Sequence, residues 1–169
     1  QRYYRAWDAI LQAPAFTFDK RSIRPPRNRL NSLISFGNSL MYSTCLSAIY
    51  RSKLDARIGF LHASNDRPYS LHLDLAEIFK PIIIDRVIFT VINKGMVQPK
   101  DFREDARGGV YVQGGSKKAF VKAFDAKLKS TLAHPTLKRH VSYQQLIERE
   151  CYKLEKHLRN EVSYVPYVG

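Results

Sequence analysis

The sequence has little that would cross-link it. Its two cysteines, Cys45 and Cys151, lie far apart and form no metal-spacing pair, which argues against a disulfide framework and fits a reducing cytoplasm. Both read as buried hydrophobes. No apolar run approaches the roughly 18 residues that span a bilayer, and no hydrophobic leader precedes the first helical pattern, so a soluble intracellular protein with no membrane partner is expected. Repeats, low-complexity tracts and linker-like breaks are also lacking. A chain of 169 residues suits one packed domain that needs no staple.

Acid is the scarcer charge, with 15 Asp and Glu against 28 Lys and Arg, a formal net charge of +13. Such an excess points to a polyanionic partner, nucleic acid first. It is concentrated in KRSIRPPRNR, residues 20–29, where Lys20, Arg21, Arg24, Arg27 and Arg29 occur without an acid. The prolines stiffen this loop, so its charges do not spread over a helix face. It reads either as a DNA-tracking element or as a solvated loop. The chain opens at Gln1 already inside an amphipathic pattern, without a methionine or a cap, as expected for the middle of a longer gene product.

QRYYRAWDAILQ spaces Tyr3, Tyr4, Trp7, Ile10 and Leu11 at helical intervals before Pro14. Residues 28–53 keep Leu30, Leu33, Ile34, Leu40, Met41 and Ile49 near one stripe, predicting a long buried helix. Within it, Gly37 marks close packing or a mild kink. SLHLDL alternates as a strand would, yet Leu71, Leu75, Ile78, Phe79, Ile82 and Val87 step at helical spacing, with Ser70 as a cap and Pro81 as a kink or break. PKDFRED opens with a helix-starting proline, and GGVYVQGG reads as a short strand or an extended turn. KKAFVKAFDAKLKSTL and SYQQLIERECYKLEKHLRNEV predict two more helices, the second opened by Ser142 and Gln145 at capping-box spacing. The tail SYVPYVG is not helical through Pro166. The fold class expected is all-α, a helical bundle with at most one short extended segment, at residues 108–113.

GFLHASNDRPYSLHLDLAEIF, residues 59–79, sets Asp74 and Glu77 among leucines. On a helix these acids leave the same face with β-carbons about 5–6 Å apart, and they repel unless a cation of this chain or a metal compensates them. Mg²⁺ and Mn²⁺ favour carboxylate oxygens, and an imidazole from His62 would tilt the site toward Mn²⁺. Lys80, one turn beyond Glu77, either binds a phosphate or pairs with Glu77. His72 reads as structural. His134, His140 and His157 lie among basic residues, in solvated or DNA-facing places.

RPPRNRLNSLISFGNSLMYS, GFLH and SLHLDLAEIFKPIIIDR, followed in order by GGVYV, SYQQLIERECYKLEKHL and YVPYV, are similar to the CRISPR-associated integrase family that captures new spacers. The match covers nearly the whole chain. The resemblance implies a single helical catalytic domain over residues 1–169, corresponding to the family's C-terminal domain without its β-rich N-terminal dimerisation domain. It implies a divalent metal, Mg²⁺ or Mn²⁺, held by a glutamate, a histidine and an acidic residue. The last two map onto His62 and Glu77, with Asp74 at the neighbouring acidic position, where it would accept a hydrogen bond from a metal water or orient His62. The glutamate is expected just upstream of Gln1. The implied reaction is attack by the 3′-hydroxyl of a captured duplex on a phosphodiester at the CRISPR repeat. The implied partners are double-stranded DNA, as spacer duplex and repeat, the small ferredoxin-like second Cas protein, and a second copy in a homodimer. A competing reading is a non-catalytic helical DNA-binding or scaffold domain whose acids pair with Lys80 or Arg86, and a third is a docking surface only.

Overall fold

The computed structural model describes residues 2–61, 69–134 and 136–168. Among these described residues six α-helices carry the fold: α1 (Arg2–Arg5), α2 (Arg29–Tyr50), α3 (Leu71–Phe79), α4 (Asp85–Asn93), α5 (Gly114–Lys129) and α6 (Tyr143–Leu158). Four short strands form two antiparallel hairpins, β1 (Phe102–Glu104) with β2 (Val110–Val112), and β3 (Thr131–His134) with β4 (Arg139–Ser142). The class is mostly helical, as expected, but these four strands exceed the one short extended segment anticipated, because β3 and β4 pair between α5 and α6 and Phe102–Glu104 pairs with Val110–Val112. Among the described residues no helix is long and apolar enough to cross a membrane.

The chain divides into two compact units, residues 1–37 with 84–126 and residues 38–83 with 127–169. In the first, Trp7 is 2 % exposed and meets the Phe89 ring edge-on at 4.8 Å, while Tyr4 stacks on Phe18 at 5.1 Å. The helix expected over residues 1–12 is shorter: α1 gives way to a 3₁₀ turn at Ala6–Ala9, and the Asp8 carboxylate accepts the Phe18 N–H at 2.8 Å. Leu30, Leu33 and Ile34 of α2 are buried in this unit, as are Val87, Ile88 and Val91 of α4 and Phe120 of α5. Pro99 opens a 3₁₀ turn, Pro99–Asp101, with Gln98 and Asp101 in a capping box. The rest of that motif is strand β1, which pairs with the extended segment anticipated at residues 108–113.

In the second unit Met41, Cys45 and Ile49 of α2, Leu75 and Phe79 of α3, and Leu146, Ile147 and Cys151 of α6 make the core. Burial pushes the Cys151 thiol up to about 12 and the Cys45 thiol up as well, so both behave as apolar filler. The helix expected through Leu132 stops at Lys129, where the Ser130 hydroxyl and N–H both bond the Lys127 carbonyl, and Thr131 begins β3. The capping box of α6 forms as read: the Ser142 N–H donates to Gln145 Oε1 at 2.9 Å and the Gln145 N–H to Ser142 Oγ at 3.2 Å. The tail is tied down by a buried carboxylate, Glu150, which accepts the Tyr164 hydroxyl at 2.8 Å, the Tyr167 N–H at 3.2 Å and the Lys153 ammonium at 2.5 Å.

At Pro81 the α-helical hydrogen-bond pattern is interrupted. Proline lacks the N–H for an i→i−4 bond, and the chain passes it in a π turn, Lys80–Ile84, from which α4 follows directly.

Gly37 is a close-packing position. A Cβ there would lie 2.7 Å from Ile84 Cγ2 and 3.2 Å from Phe120 Cζ, both fully buried side chains. Alanine would gain up to about 1 kcal/mol in helix propensity but overpack the core at a cost of about 1–3 kcal/mol. Gly37→Ala is therefore expected to lower the midpoint of denaturant unfolding, and a raised midpoint would show that Ile84 and Phe120 can yield.

Candidate functional site

Helix α3 brings Asp74 into its own first turn, on the buried side, where the residue is 2 % exposed. A carboxylate taken out of water needs hydrogen bonds. Its Oδ2 accepts the backbone N–H of Phe60 at 2.7 Å and that of Leu61 at 3.0 Å. Neighbouring bonds dock the same stretch on the helix start. The Ser70 and Leu71 N–H groups donate to the Ala56 carbonyl at 3.1 and 3.2 Å. Ser70 occupies the N-cap position without capping: its hydroxyl donates to the Arg57 carbonyl at 3.4 Å. Gly59 permits this approach, since a Cβ there would overlap Ser70 Oγ and lie 2.9 Å from Asp74 Oδ2. Asp55 closes the turn by binding Arg57 through its side chain and N–H, which holds the Asp55 carboxyl down at about 2.

Glu77 sits three residues on and faces out, with its side chain 46 % exposed. Lys80 Nζ donates to its Oε1 at 2.5 Å, while the Lys80 side chain is only 16 % exposed and its ammonium lies 4.7 Å from the centre of the Tyr42 ring. Burial works against the Lys80 charge, but the bonds to Glu77 and Tyr42 outweigh it and hold the ammonium above its ordinary value. Each acid of the pair is thus compensated from within the chain, Asp74 by amides and Glu77 by a cation.

His62 lies outside the described residues, as does the rest of 62–68. Among the described residues no cluster of three or more His, Cys, Asp or Glu is placed to hold a metal. The donor chemistry fits a hard divalent cation at Glu77, whose carboxylate remains open to solvent. Asp74 Oδ2 is already occupied by two amides.

The arginine-rich loop belongs to the other compact unit, and its cations do not act alike. Arg21 is turned inward onto α2, donating to Asn31 Oδ1 at 2.9 Å and Ser35 Oγ at 3.3 Å. Lys20, Arg27 and Arg29 line one cleft of about 540 Å³ together with Asp19 and Glu104. There Arg27 donates to the Arg107 carbonyl at 2.8 Å and Arg29 to the Ala15 carbonyl at 3.4 Å. Arg24 is exposed.

Two positioning residues carry no signal of their role in the sequence. Asn31, fully buried, pins the loop to α2 by bonding the Lys20 carbonyl at 2.7 Å and the Ser22 N–H at 3.2 Å. Gly59 shows only as the first residue of GFLH. No short-range pattern marks either, because both serve contacts made by the folded chain.

The family described as CRISPR associated protein Cas1 matches residues 1–126. The CRISPR-associated endonuclease Cas1 2 of Thermodesulfovibrio yellowstonii is 51 % identical over 166 residues, which is 98 % of this chain and 50 % of the relative. A solved CAS1 protein from Thermotoga maritima superposes with a TM-score of 0.89 at 43 % identity, over 96 % of this chain and 50 % of that one. A casposase bound to integration product shares the fold at 21 % identity, with a TM-score of 0.86 over 98 % of this chain and 49 % of that one. The chain spans about half the length of the curated relatives it matches.

Asp74→Ala leaves the Phe60 and Leu61 amides without their acceptor. A cost of about 1–3 kcal/mol is expected, with faster hydrogen exchange at those two amides while exchange in α6 is unchanged. Protection retained at Phe60 and Leu61 would show that something other than Asp74 holds the segment.

Proposed function

The chain belongs to the Cas1 family, and from that premise we propose that it is the helical catalytic part of an integrase that inserts new spacers into CRISPR arrays in the cytoplasm. One observation carries the reading: a buried Asp74 holds the backbone immediately before His62, and one turn along the same helix Glu77 offers an open carboxylate. The two acids then do different work.

In the proposed reaction the 3′-hydroxyl of a captured duplex attacks a phosphodiester of the repeat, forming one P–O bond as another breaks. Glu77 and His62 would hold a Mg²⁺ or Mn²⁺ ion, together with a glutamate expected from another part of the full-length protein. Such an ion supplies Lewis-acid stabilisation of the charge that builds on the phosphate and lowers the pKa of the attacking hydroxyl. Lys80 keeps the Glu77 carboxylate oriented and presents a cation beside the reacting phosphate. Asp74 is a positioning residue, fixing the path of the chain into His62 through the Phe60 and Leu61 amides. Lys20, Arg24, Arg27 and Arg29 grip the duplex backbone without reading sequence, while Arg21 shapes the loop that carries them. The partners proposed are the captured duplex and repeat DNA, the ferredoxin-like second Cas protein, and a second copy of the full-length chain.

The Glu77–Lys80 pair at 2.5 Å also favours a second reading, a non-catalytic DNA-binding scaffold in which these residues are an ordinary surface ion pair. Metal separates the two. In the full-length protein Mn²⁺ should raise the melting temperature, and Glu77→Gln should remove that shift. The same variant should lower integration by more than the about 10–100-fold that losing an outer partner costs a metal site. No Mn²⁺ shift, together with duplex binding but no integration by the wild-type protein, would leave the scaffold reading, whereas integration retained by Glu77→Gln would remove Glu77 from the metal site.

Replacing Arg24 and Arg27 by alanine should weaken binding to duplexes of any sequence. The slope of log affinity against log salt should flatten by about 0.9 for each phosphate that is no longer neutralised. An unchanged slope would remove the loop from the interface.

A further inference from the structure

Between Asp125 and Glu148 the sequence holds no acid, yet it carries Lys127, Lys129, Lys138 and Arg139 with His134 and His140. This run supplies the end of α5, the β3–β4 hairpin and the first turn of α6. The hairpin pairs Thr131 with Ser142, Leu132 with Val141, Ala133 with His140 and His134 with Arg139. Side chains alternate between the faces of a strand, and the two faces differ. One carries Leu132 and Val141, the latter 1 % exposed, and is packed at its root. The other carries Ala133 and His140, both exposed, and no large apolar side chain.

Lys138, Arg139 and His140 are exposed in succession along the outgoing arm, Arg139 on the Leu132–Val141 face beyond its packed root and His140 on the other. The tip that presents them is held from within. His134 accepts the Lys138 N–H on its carbonyl at 3.0 Å and the Leu137 N–H on Nδ1 at 3.3 Å, and Lys138 takes a left-handed φ of 51°. At the base, Lys127 Nζ lies 4.1 Å from the centre of the Tyr143 ring, which keeps that ammonium beside the ribbon. Cations gathered on a fixed ribbon with no acid interleaved repel one another, and a bound polyanion removes that repulsion.

We propose that the β3–β4 hairpin is a second contact for the DNA duplex backbone, distinct from the arginine-rich loop, with Lys138 and Arg139 binding phosphates and His140 flanking them. The inference rests on the integrase reading and adds a binding element to it. The test is a salt titration of full-length protein on a short duplex, comparing wild type with Lys138→Gln/Arg139→Gln, the charge-keeping swap Lys138→Arg/Arg139→Lys, and Arg24→Ala/Arg27→Ala. The glutamine pair should melt with wild type and flatten the slope by about 1.8, at roughly 0.9 per phosphate, while the charge-keeping pair keeps the wild-type slope. If the loop variant flattens the slope and the glutamine pair does not, the hairpin assignment fails and the integrase reading stands. Loss of affinity for the second Cas protein with an unaltered DNA slope makes the hairpin a protein contact and also overturns the assignment. Wild-type protein that binds no duplex at all overturns both.

Discussion

Asp74 is a carboxylate at 2 % exposure whose counterparts include the two amides of Phe60 and Leu61. Burying an ion costs several kcal/mol after relaxation. Against that stand two hydrogen bonds to a charged group, each contributing about 1.5–3 kcal/mol. The first turn of α3, where the macrodipole favours negative charge, contributes a further increment of about 0.3–1 kcal/mol. These terms balance only while the segment stays against the helix. The loop and the carboxylate therefore form one structural unit, and Gly59 is the residue small enough to let them meet. The backbone at Phe60 and Leu61 is held by Asp74.

Glu77 shows the opposite solution on the same helix. Exposed at 46 %, it needs no desolvation compensation, and its ion pair with Lys80 resembles the surface pairs that contribute about 0–1 kcal/mol to stability. The asymmetry lies in Lys80, which is mostly buried and begins the π turn Lys80–Ile84. A lysine so enclosed keeps its charge because Glu77 and Tyr42 bind it. The pair orients an open carboxylate more than it stabilises the fold. Lys80 is itself the first residue of a single-turn π element inside a helical path, of the kind frequent at functional sites.

Much of this was legible in the sequence. The helical spacing from Leu71 to Val87 outweighed the strand-like alternation of SLHLDL, and the Ser142–Gln145 box marked the start of α6 within a residue. Gly37 read as close packing or a mild kink, because a glycine inside a helix costs up to about 1 kcal/mol, and the nearness of Ile84 and Phe120 favours packing. What escaped was set by tertiary contact. Periodicity carried the helix past Lys129 because Leu132 keeps the spacing, whereas Ser130 closes the last turn and Thr131 pairs across to Ser142. Ser70 read as a cap, yet its hydroxyl serves the incoming loop. The acids read as a mutually repelling pair because spacing places Asp74 and Glu77 on one face. It is silent on the distant amides that occupy one of them and on the depth to which that one is buried.

The cationic excess divides along the same line between groups with an internal task and groups without one. Arg21 fastens a loop, Arg57 holds Asp55, Lys80 holds Glu77 and Lys153 holds Glu150. Folding explains these. Among the described residues Arg24, Lys138 and Arg139 enter no ion pair, and they lie in stretches that contain no acid. Unpaired like charges destabilise a compact state through self-repulsion, most strongly at low ionic strength. Stability alone would therefore remove them, or intersperse acids, which cost the surface nothing. They occur in two separate segments, one in each compact unit, and the duplex proposed as partner would neutralise both.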